Sequence, residues 1–558
     1  TKTGFTMGGR ISITVEHKSV TSPNHQLQPG RPVIFYSEGT NDEDNQMKAT
    51  VYSVGKNTMK LISNARELPE WLNKPPLAVQ AEFDERTYRL MENALEEVIN
   101  SKEPRVREFK KIFAGLQPPI FSHETYPFTI PILNESQNQA LQHVMQSKDL
   151  AIIHGPPGTG KTTTLVQIIK KTVETEKQVL VTAPSNVADD LLVERLVQAG
   201  VKTVRIGNIS RIDETLLAHT LDGMVESHRE FPNIKKIRIE AAAVRSEASK
   251  YKRHFTHTEK EERTRLRKEA KDLEAWAKDL EERITESILD SAQVIATTLT
   301  SCNNDELSGR KYSTIFLDEA SQALEPAAWI TMLKADRIVM AGDPLQLPPT
   351  VKSTKAAKAG LDISLLEKSI SLNYPSYLLD TQYRMHNDIM TFSNVYFYKG
   401  KLQTALEIQS KTQNQTFKAV IFIDTAGTGF EEQMPEETSK DMYLSKYNEG
   451  EYFILREHLL RLISEHLELK EKNIVVITPY RAQVRYINDR IQEDETLYNL
   501  NIRVSSIDGY QGQESDIVII SLVRSNVKGE IGFLKDYRRM NVAMTRAKKM
   551  LTLIYIDG

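Results

Sequence analysis

Residues 150–169 read Leu150-Ala151-Ile152-Ile153-His154-Gly155-Pro156-Pro157-Gly158-Thr159-Gly160-Lys161-Thr162-Thr163-Thr164-Leu165-Val166-Gln167-Ile168-Ile169. A short apolar run, a loop rich in glycine and proline, and a second apolar stretch follow one another without a gap. The order predicts a buried strand, a tight loop and a helix, and Gly155 to Thr162 match G-x-x-x-x-G-K-[ST] in that context. Glycines let a backbone wrap closely around phosphate oxygens, and the amides that open a helix point at the anion. Gly155, Pro156, Pro157, Gly158, Thr159, Gly160, Lys161, Thr162 and Thr163 are the expected cradle. Lys161 would meet the β/γ-phosphates of ATP, and Thr162 would place a hydroxyl on Mg²⁺.

Such a site needs a carboxylate pair at the end of another buried strand. Ile315-Phe316-Leu317-Asp318-Glu319 supplies it. Asp318 is assigned to the metal and Glu319 to an attacking water, because two carboxylates on one metal would leave the water without a base. Further short apolar runs alternate with helical segments: 179–181, 203–206, 294–296 and 337–340, then 419–422, 474–477, 517–520 and 551–554. This alternation predicts parallel sheets covered on both faces, arranged as two α/β units in tandem. A phosphotransfer enzyme does not need the second unit, whereas a motor does, since an arginine from it can make closure depend on ATP. Arg384, in Gln382-Tyr383-Arg384-Met385, and Arg546, in Met544-Thr545-Arg546-Ala547, are the two candidates.

Upstream, the texture is β. Ile11, Ile13 and Val15 alternate with polar residues, 32–36 follow a turn at Pro29-Gly30, and 49–54 face 59–62 across Gly55-Lys56-Asn57. With Val79 and Phe83, these short strands suggest a small barrel over 1–85. Apolar positions 90, 94, 95, 98 and 99 then mark a helix. From Asn233 to Ser308 there is neither Gly nor Pro. Residues 235–268 carry 12 Lys/Arg and 5 Asp/Glu, and 269–290 carry 3 and 8. A long, charged, breaker-free run reads as a solvated helical hairpin, serving either as a structural protrusion or as a nucleic-acid contact through its basic half.

The 558 residues predict about three to five domains. At 40% hydrophobic and 26% charged, the chain is of globular composition. No apolar run is long enough to span a membrane, so none is expected, and no signal peptide is visible. Thr1 stands where an initiator Met would, so residues are expected upstream. Cys302 is the single cysteine, which forbids an intrachain disulfide or a multi-cysteine zinc site and fits an intracellular location. A net charge of −3 speaks against a strongly basic coat; a local basic channel on a near-neutral body is the expectation.

Taken together, the motifs resemble those of superfamily 1 helicases of the Upf-like branch. They run in family order: Leu133-Asn134-Glu135-Ser136-Gln137, the phosphate loop, Ala183-Pro184-Ser185-Asn186, Asp318-Glu319-Ala320-Ser321, Gly342-Asp343-Pro344-Leu345-Gln346, Gln382-Tyr383-Arg384-Met385, Thr478-Pro479-Tyr480-Arg481, Asp508-Gly509-Tyr510-Gln511-Gly512-Gln513-Glu514, and the Arg546 segment. The resemblance implies an α/β fold of two tandem RecA-like domains, with a small β-barrel on a helical stalk and a helical insertion in the first motor domain. The expected bounds are 1–85 for the barrel, 86–120 for the stalk helix, 121–355 for motor domain 1 with its insertion at about 210–290, and 356–558 for motor domain 2. It further implies that Gln137 reads the adenine edge, Tyr383 stacks on the ring, Gln346 senses the γ-phosphate, Arg384 and Arg546 stabilise transferring charge, and Glu514 meets the ribose. Pro184, Ser185, Asn186, Thr478, Pro479, Tyr480 and Arg481 would line a single strand of DNA or RNA through contacts that carry no sequence information.

The implied activity is ATP-dependent 5′→3′ movement along a single strand with duplex unwinding, by a chain expected to act as a monomer. A remodelling ATPase that strips proteins without unwinding is the alternative. A catalytically dead scaffold is disfavoured by the intact set Lys161, Thr162, Asp318, Glu319, Arg384 and Arg546. No spare module remains for a nuclease.

Overall fold

The computed structural model describes residues 2–5, 11–16, 27, 30–37, 45–55, 57–63, 65, 69–73, 76–82, 85–124, 126, 128–207, 212–249, 256–413, 415–435 and 445–555. Pro29, Lys56 and Phe83 of the first strands, and 208–211 and 250–255 around the charged run, lie outside the described residues. The chain begins with β1 (Lys2–Phe5), β2 (Ile11–Glu16), β3 (Pro32–Ser37), β4 (Gln46–Val54), β5 (Thr58–Ser63), β6 (Leu77–Ala81), α1 (Glu85–Asn100), α2 (Pro104–Phe113) and α3 (Glu135–Gln146). Next come β7 (Leu150–His154), α4 (Lys161–Thr172), β8 (Val179–Ala183), α5 (Asn186–Gln198), β9 (Thr203–Ile206), α6 (Leu221–Ser227), α7 (Phe231–Ser249), α8 (His257–Ser291), β10 (Val294–Thr298), β11 (Tyr312–Leu317), α9 (Glu325–Met332) and β12 (Ala335–Gly342). The remainder is α10 (Thr354–Lys358), α11 (Leu365–Ser371), β13 (Ser376–Leu378), β14 (Thr381–Gln382), α12 (Asn387–Tyr396), β15 (Gln403–Thr404), α13 (Leu406–Thr412), β16 (Val420–Asp424), α14 (Glu449–Glu465), β17 (Ile474–Thr478), α15 (Arg481–Glu493), β18 (Ile502–Ser506), β19 (Ser515–Ser521), α16 (Tyr537–Met544) and β20 (Ala547–Tyr555). Two compact units result: Thr1–Lys110 with Ile169–Asp318 and Pro326–Ile338, and Lys111–Ile168 with Glu319–Glu325 and Val339–Gly558.

In the first unit, β1 to β6 pair antiparallel in the order β1-β2-β5-β4-β3-β6. Alternation puts Ile11, Ile13, Val33, Phe35, Val51 and Leu61 on one buried face, with Trp71 and Leu72 packed against it. The order is linear, and no pairing of β1 with β6 occurs among the described residues. The stretch expected as one stalk helix over 86–120 is two helices, and the break has a local cause. Ser101 Oγ accepts from the Glu103 amide at 3.2 Å, and Pro104, which has no N–H to leave unpaired, opens α2.

The rest of this unit is the α/β layer β11-β8-β10-β9, parallel throughout. The breaker-free charged run forms α7 and α8, which pack on each other. The ion pairs Arg238–Glu281 and Arg245–Glu274 show the two helices antiparallel, so part of the basic half is neutralised by the acidic half. On β9, Arg205 is fully buried and meets Asp189 at 2.8 Å, Asp190 at 2.9 Å and Asn186 Oδ1 at 3.0 Å, tying the start of α5 to the sheet.

In the second unit, β7 pairs in parallel with β13, so a strand from beyond residue 355 stands beside the strand that feeds the phosphate loop. The second sheet is β16-β20-β19-β17-β18, all parallel. Val475, Ile477, Val518, Ile520, Leu551 and Leu553 bury one face; Ile474, Val476, Ile517, Ile519 and Met550 bury the other. Two-sided burial explains why these strands read as continuous apolar runs. β18 escapes that signature because it is an edge strand with only Ile502 and Val504 apolar. No helix among the described residues is long and apolar enough to cross a membrane.

Arg205→Ala would leave Asp189 and Asp190 buried without their cation. The expected loss is about 3–5 kcal/mol of stability, measured by urea denaturation, whereas a surface arginine would cost a fraction of that.

Candidate nucleotide site

The site is built in the second unit on the turn between β7 and α4. β7 is buried along its length, and the Gly155 amide donates to the Gly342 carbonyl at 2.9 Å, which anchors the loop to the end of β12. Gly158 and Gly160 have φ of +76° and +73°, a region costly for residues with a Cβ. A Cβ on Gly158 would lie 2.6 Å from Arg384 Cβ, and one on Gly160 would lie 2.8 Å from Gln137 Nε2. Thr159 closes the loop internally, its hydroxyl donating to the Pro156 carbonyl at 2.7 Å. Lys161 opens α4, with Thr162 and Thr163 in its first turn.

Lys161 Nζ lies 2.5 Å from Glu319 Oε1. Glu319 has φ +50°, a left-handed backbone uncommon away from glycine and found where the surrounding structure imposes it. Burial would raise its carboxyl, but Lys161, Arg546 and the Gln322 amide outweigh burial and hold it below the usual carboxylate range. In the first unit, Asp318 directly follows β11, is buried, and donates its amide to the Thr182 carbonyl at 2.9 Å.

Behind this pair runs a buried polar chain. Gln346 Nε2 donates to Asp343 Oδ2 at 2.8 Å, and its Oε1 accepts from Arg546 Nη2 at 3.1 Å. Asp343 also meets His154 Nε2 at 3.0 Å, the Tyr398 hydroxyl at 2.7 Å and the Leu345 amide at 3.0 Å. Against the effect of burial, His154, Tyr398 and Gln346 keep its carboxyl low. Asn541 Nδ2 donates to the Tyr398 oxygen and to the Leu345 carbonyl. Arg546 is itself buried and donates to the carbonyls of Val542 and Gln513. Burial and the nearby Arg384 push its guanidinium down to about 9. Asp343, Tyr398, His154 and Asn541 were not read as site residues. Asp343 stood inside a quoted motif and His154 beside the phosphate loop, whereas nothing local marked Tyr398 or Asn541.

Arg384 donates to Glu514 Oε2 at 2.7 Å and to the Thr545 carbonyl, and Glu514 also holds Lys548 at 2.6 Å. Glu514 therefore links two cations, which keep its carboxyl low despite burial. Gln137 spends its amide on protein: Oε1 accepts from the Asn134 amide in a capping box, and Nε2 donates to Thr159 at 3.0 Å. Tyr383 is 38% exposed, its amide bound to the Gly158 carbonyl and its hydroxyl to Asn134 Nδ2. An aromatic face held at both ends beside the loop is suited to stacking.

The expected strand contacts are carried on other elements. In the first unit, Pro184 and Ser185 lead into α5, where Ser185 is the N-cap, and Asn186 is held by Arg205. In the second, Thr478 ends β17, buried, with its hydroxyl unpartnered. Pro479 is half-buried, Tyr480 is buried with its hydroxyl accepting from Arg524 at 3.2 Å, and Arg481 opens α15, exposed.

The donor set suits a nucleotide triphosphate: a glycine cradle with no room for a Cβ, one lysine, a helix start, and two arginines beside a carboxylate. Among the described residues no cluster of three or more His, Cys, Asp or Glu could hold a metal by itself.

Comparison with known proteins agrees with this geometry. Two AAA-domain family models match in tandem, at residues 132–354 and 361–555. The chain is 34% identical to DNA-binding protein SMUBP-2 of Mesocricetus auratus over 84% of its length, but spans only 49% of that protein. It is 31% identical to the uncharacterized ATP-dependent helicase MJ0104 of Methanocaldococcus jannaschii, covering 99% of this chain and 86% of the relative. It is also 31% identical to the DNA polymerase alpha-associated DNA helicase A of Saccharomyces cerevisiae, covering 97% and 83%. The chain belongs to the Upf-like helicases, with an α/β fold of parallel sheets and two tandem helicase domains.

Gly158→Ala should weaken ATP binding at least about tenfold, since it adds a Cβ against Arg384 to a left-handed position. Equilibrium titration with a fluorescent ATP analogue measures it.

Proposed function

We propose that the chain is an ATP-driven motor that moves 5′→3′ along single-stranded DNA or RNA and separates duplexes. The observation that carries this reading is the Lys161–Glu319 pair at 2.5 Å, with Arg546 linked to Gln346 behind it. A lysine to hold phosphate, a carboxylate kept ionised and an arginine poised near both are the parts that hydrolysis of a phosphoanhydride requires. ATP bound with Mg²⁺ supplies that bond. Lys161 and the loop amides would hold its phosphates, Thr162 and Asp318 would be the protein's donors to the metal, and Tyr383, Gln137 and Glu514 would fix base and ribose. Glu319 would orient a water and take its proton, and Arg384 and Arg546 would neutralise developing charge. Pro184, Ser185, Asn186, Thr478, Pro479, Tyr480 and Arg481 would grip the strand.

The relatives' names, which include an ATP-dependent helicase and a DNA helicase, support strand separation. The direction rests on the family resemblance. A monomer acting inside the cell completes the reading.

The test is ATP turnover with and without poly(dT) and poly(U), followed by unwinding of 5′- and 3′-tailed duplexes. Stimulation by a single strand and unwinding only from a 5′ tail are expected. Turnover indifferent to both polymers would overturn the reading. Stimulation without strand separation, but with displacement of a bound protein, would favour a remodelling ATPase.

Lys161→Ala should abolish turnover, and Arg546→Ala should lower it on the order of 10³-fold. A loss below about tenfold would make Arg546 a structural residue.

A further inference from the structure

Outside the nucleotide site, Val523 has the most unfavourable backbone of the described residues. Its φ is +73°, beyond those of Glu319, Asn373 and Lys399, the other non-glycine residues with positive φ among the described residues. For a β-branched residue this is an outlier that a structure keeps only when neighbours impose it. It follows β19 by one residue, where a regular strand would continue straight.

The Arg524 amide donates to the Leu522 carbonyl at 2.8 Å across Val523, closing a tight three-residue turn of a rare and strained kind, and two residues of the α14 start brace it from outside. Glu451 is 1% exposed, and its Oε1 accepts from the Val523 amide at 2.8 Å. Its other oxygen accepts from the Ser521 hydroxyl. Asn448, the helix N-cap and also 1% exposed, donates Nδ2 to the Val523 carbonyl at 3.3 Å. Both peptide groups that flank the strained torsion are therefore held by one helix terminus. Gln483 braces the arrangement: it accepts from the Asn448 amide at 2.8 Å and donates to Ser521 Oγ at 3.1 Å. A buried carboxyl is an expensive way to accept two bonds, and burial pushes this one up to about 7.

The bend sends the next residue toward the expected strand contacts. Arg524 meets Glu432 at 2.7 Å and donates to the Tyr480 hydroxyl at 3.2 Å. The loop that follows packs on the same spot. A Cβ on Gly532 would lie 2.4 Å from Arg524 Nη1 and 2.5 Å from the Tyr480 oxygen, and the Phe533 ring lies 5.6 Å from that of Tyr480.

We infer that Glu451 is a positioning residue for nucleic-acid binding, acting through the left-handed Val523 to set Arg524 against Tyr480 and the 522–533 loop. The inference rests on the strand-driven reading above, in which Tyr480 and its neighbours face a single strand. Glu451 touches neither strand nor nucleotide. Its loss lets Val523 relax to an ordinary extended torsion and moves Arg524 away from Tyr480. Affinity for the strand falls while the chemistry of the nucleotide cradle, which Glu451 does not contact by any hydrogen bond described, is kept.

The experiment is ATP turnover of the full chain titrated with poly(dT), comparing wild type with Glu451→Ala, Glu451→Gln and the double variant Glu451→Ala/Val523→Gly. For Glu451→Ala the polymer concentration giving half-maximal stimulation should rise about tenfold, with the saturated rate within about twofold. Glu451→Gln, which keeps an acceptor for the Val523 amide, should restore half-saturation to within about threefold of wild type. The double variant should regain part of the loss, because glycine adopts the left-handed torsion without strain. A stimulated wild type whose Glu451→Ala variant keeps its half-saturation, or loses saturated rate instead, overturns the inference alone. A wild type that neither poly(dT) nor poly(U) stimulates overturns the strand-driven reading and the inference with it. Should Glu451→Ala not fold, hydrogen exchange of the wild type decides. The 522–533 peptide should gain protection on adding poly(dT), and unchanged exchange there, in a chain that the polymer stimulates, overturns the inference.

Discussion

The contact between Lys161 and Glu319 organises the nucleotide site. Each group is costly to bury alone, and Lys161 helps to hold the Glu319 carboxyl below the usual carboxylate range. The pair fixes the first residue of α4 against the turn that follows β11, with Glu319 in a left-handed torsion. It also sets the rule for any phosphate that enters. On the proposed reading, an entering phosphate draws the lysine from the carboxylate, and the carboxylate freed in that exchange would be the group available to a water. Holding and hydrolysing would thereby be linked through one ion pair.

A buried polar chain carries that state outward. Asp343 gathers His154, Tyr398, Leu345 and Gln346, and Gln346 passes the chain to Arg546. Asp343 has both carboxylate oxygens bonded within the protein, the condition under which a buried polar group rigidifies a core. Arg384 is anchored by Glu514 and the Thr545 carbonyl, while its Cβ closes over Gly158. The two arginines share neighbouring supports, Gln513 beside Glu514 and Thr545 beside Arg546, so a change at one bears on the other.

Much of this was legible in the chain. Continuous apolar runs marked β7, β8, β11, β17, β19 and β20 because their sheets are covered on both faces, and the loop at 155–162 was bounded by them. β18 was missed because an edge strand needs few apolar residues, and β13 because it has three residues and two of them are exposed. The stalk was read as one helix because apolar spacing does not register a break made by Ser101 and Pro104. Within the site, motif residues could be assigned to chemistry, but their partners could not. Tyr398 reaches Asp343 across 55 positions, and no local pattern encodes a hydroxyl that far away. The Gln137 side chain also holds the loop and its own helix cap, two contacts that its motif did not announce.

The exchange at Lys161 is tested most directly by equilibrium binding of a non-hydrolysable ATP analogue to wild type and to Glu319→Gln. Glutamine cannot hold the lysine as an ion pair, so the variant should bind the analogue several-fold more tightly, about 1 kcal/mol or more. Unchanged or weaker binding by Glu319→Gln, in a variant that keeps its fold, would contradict an account in which phosphate takes Lys161 from Glu319.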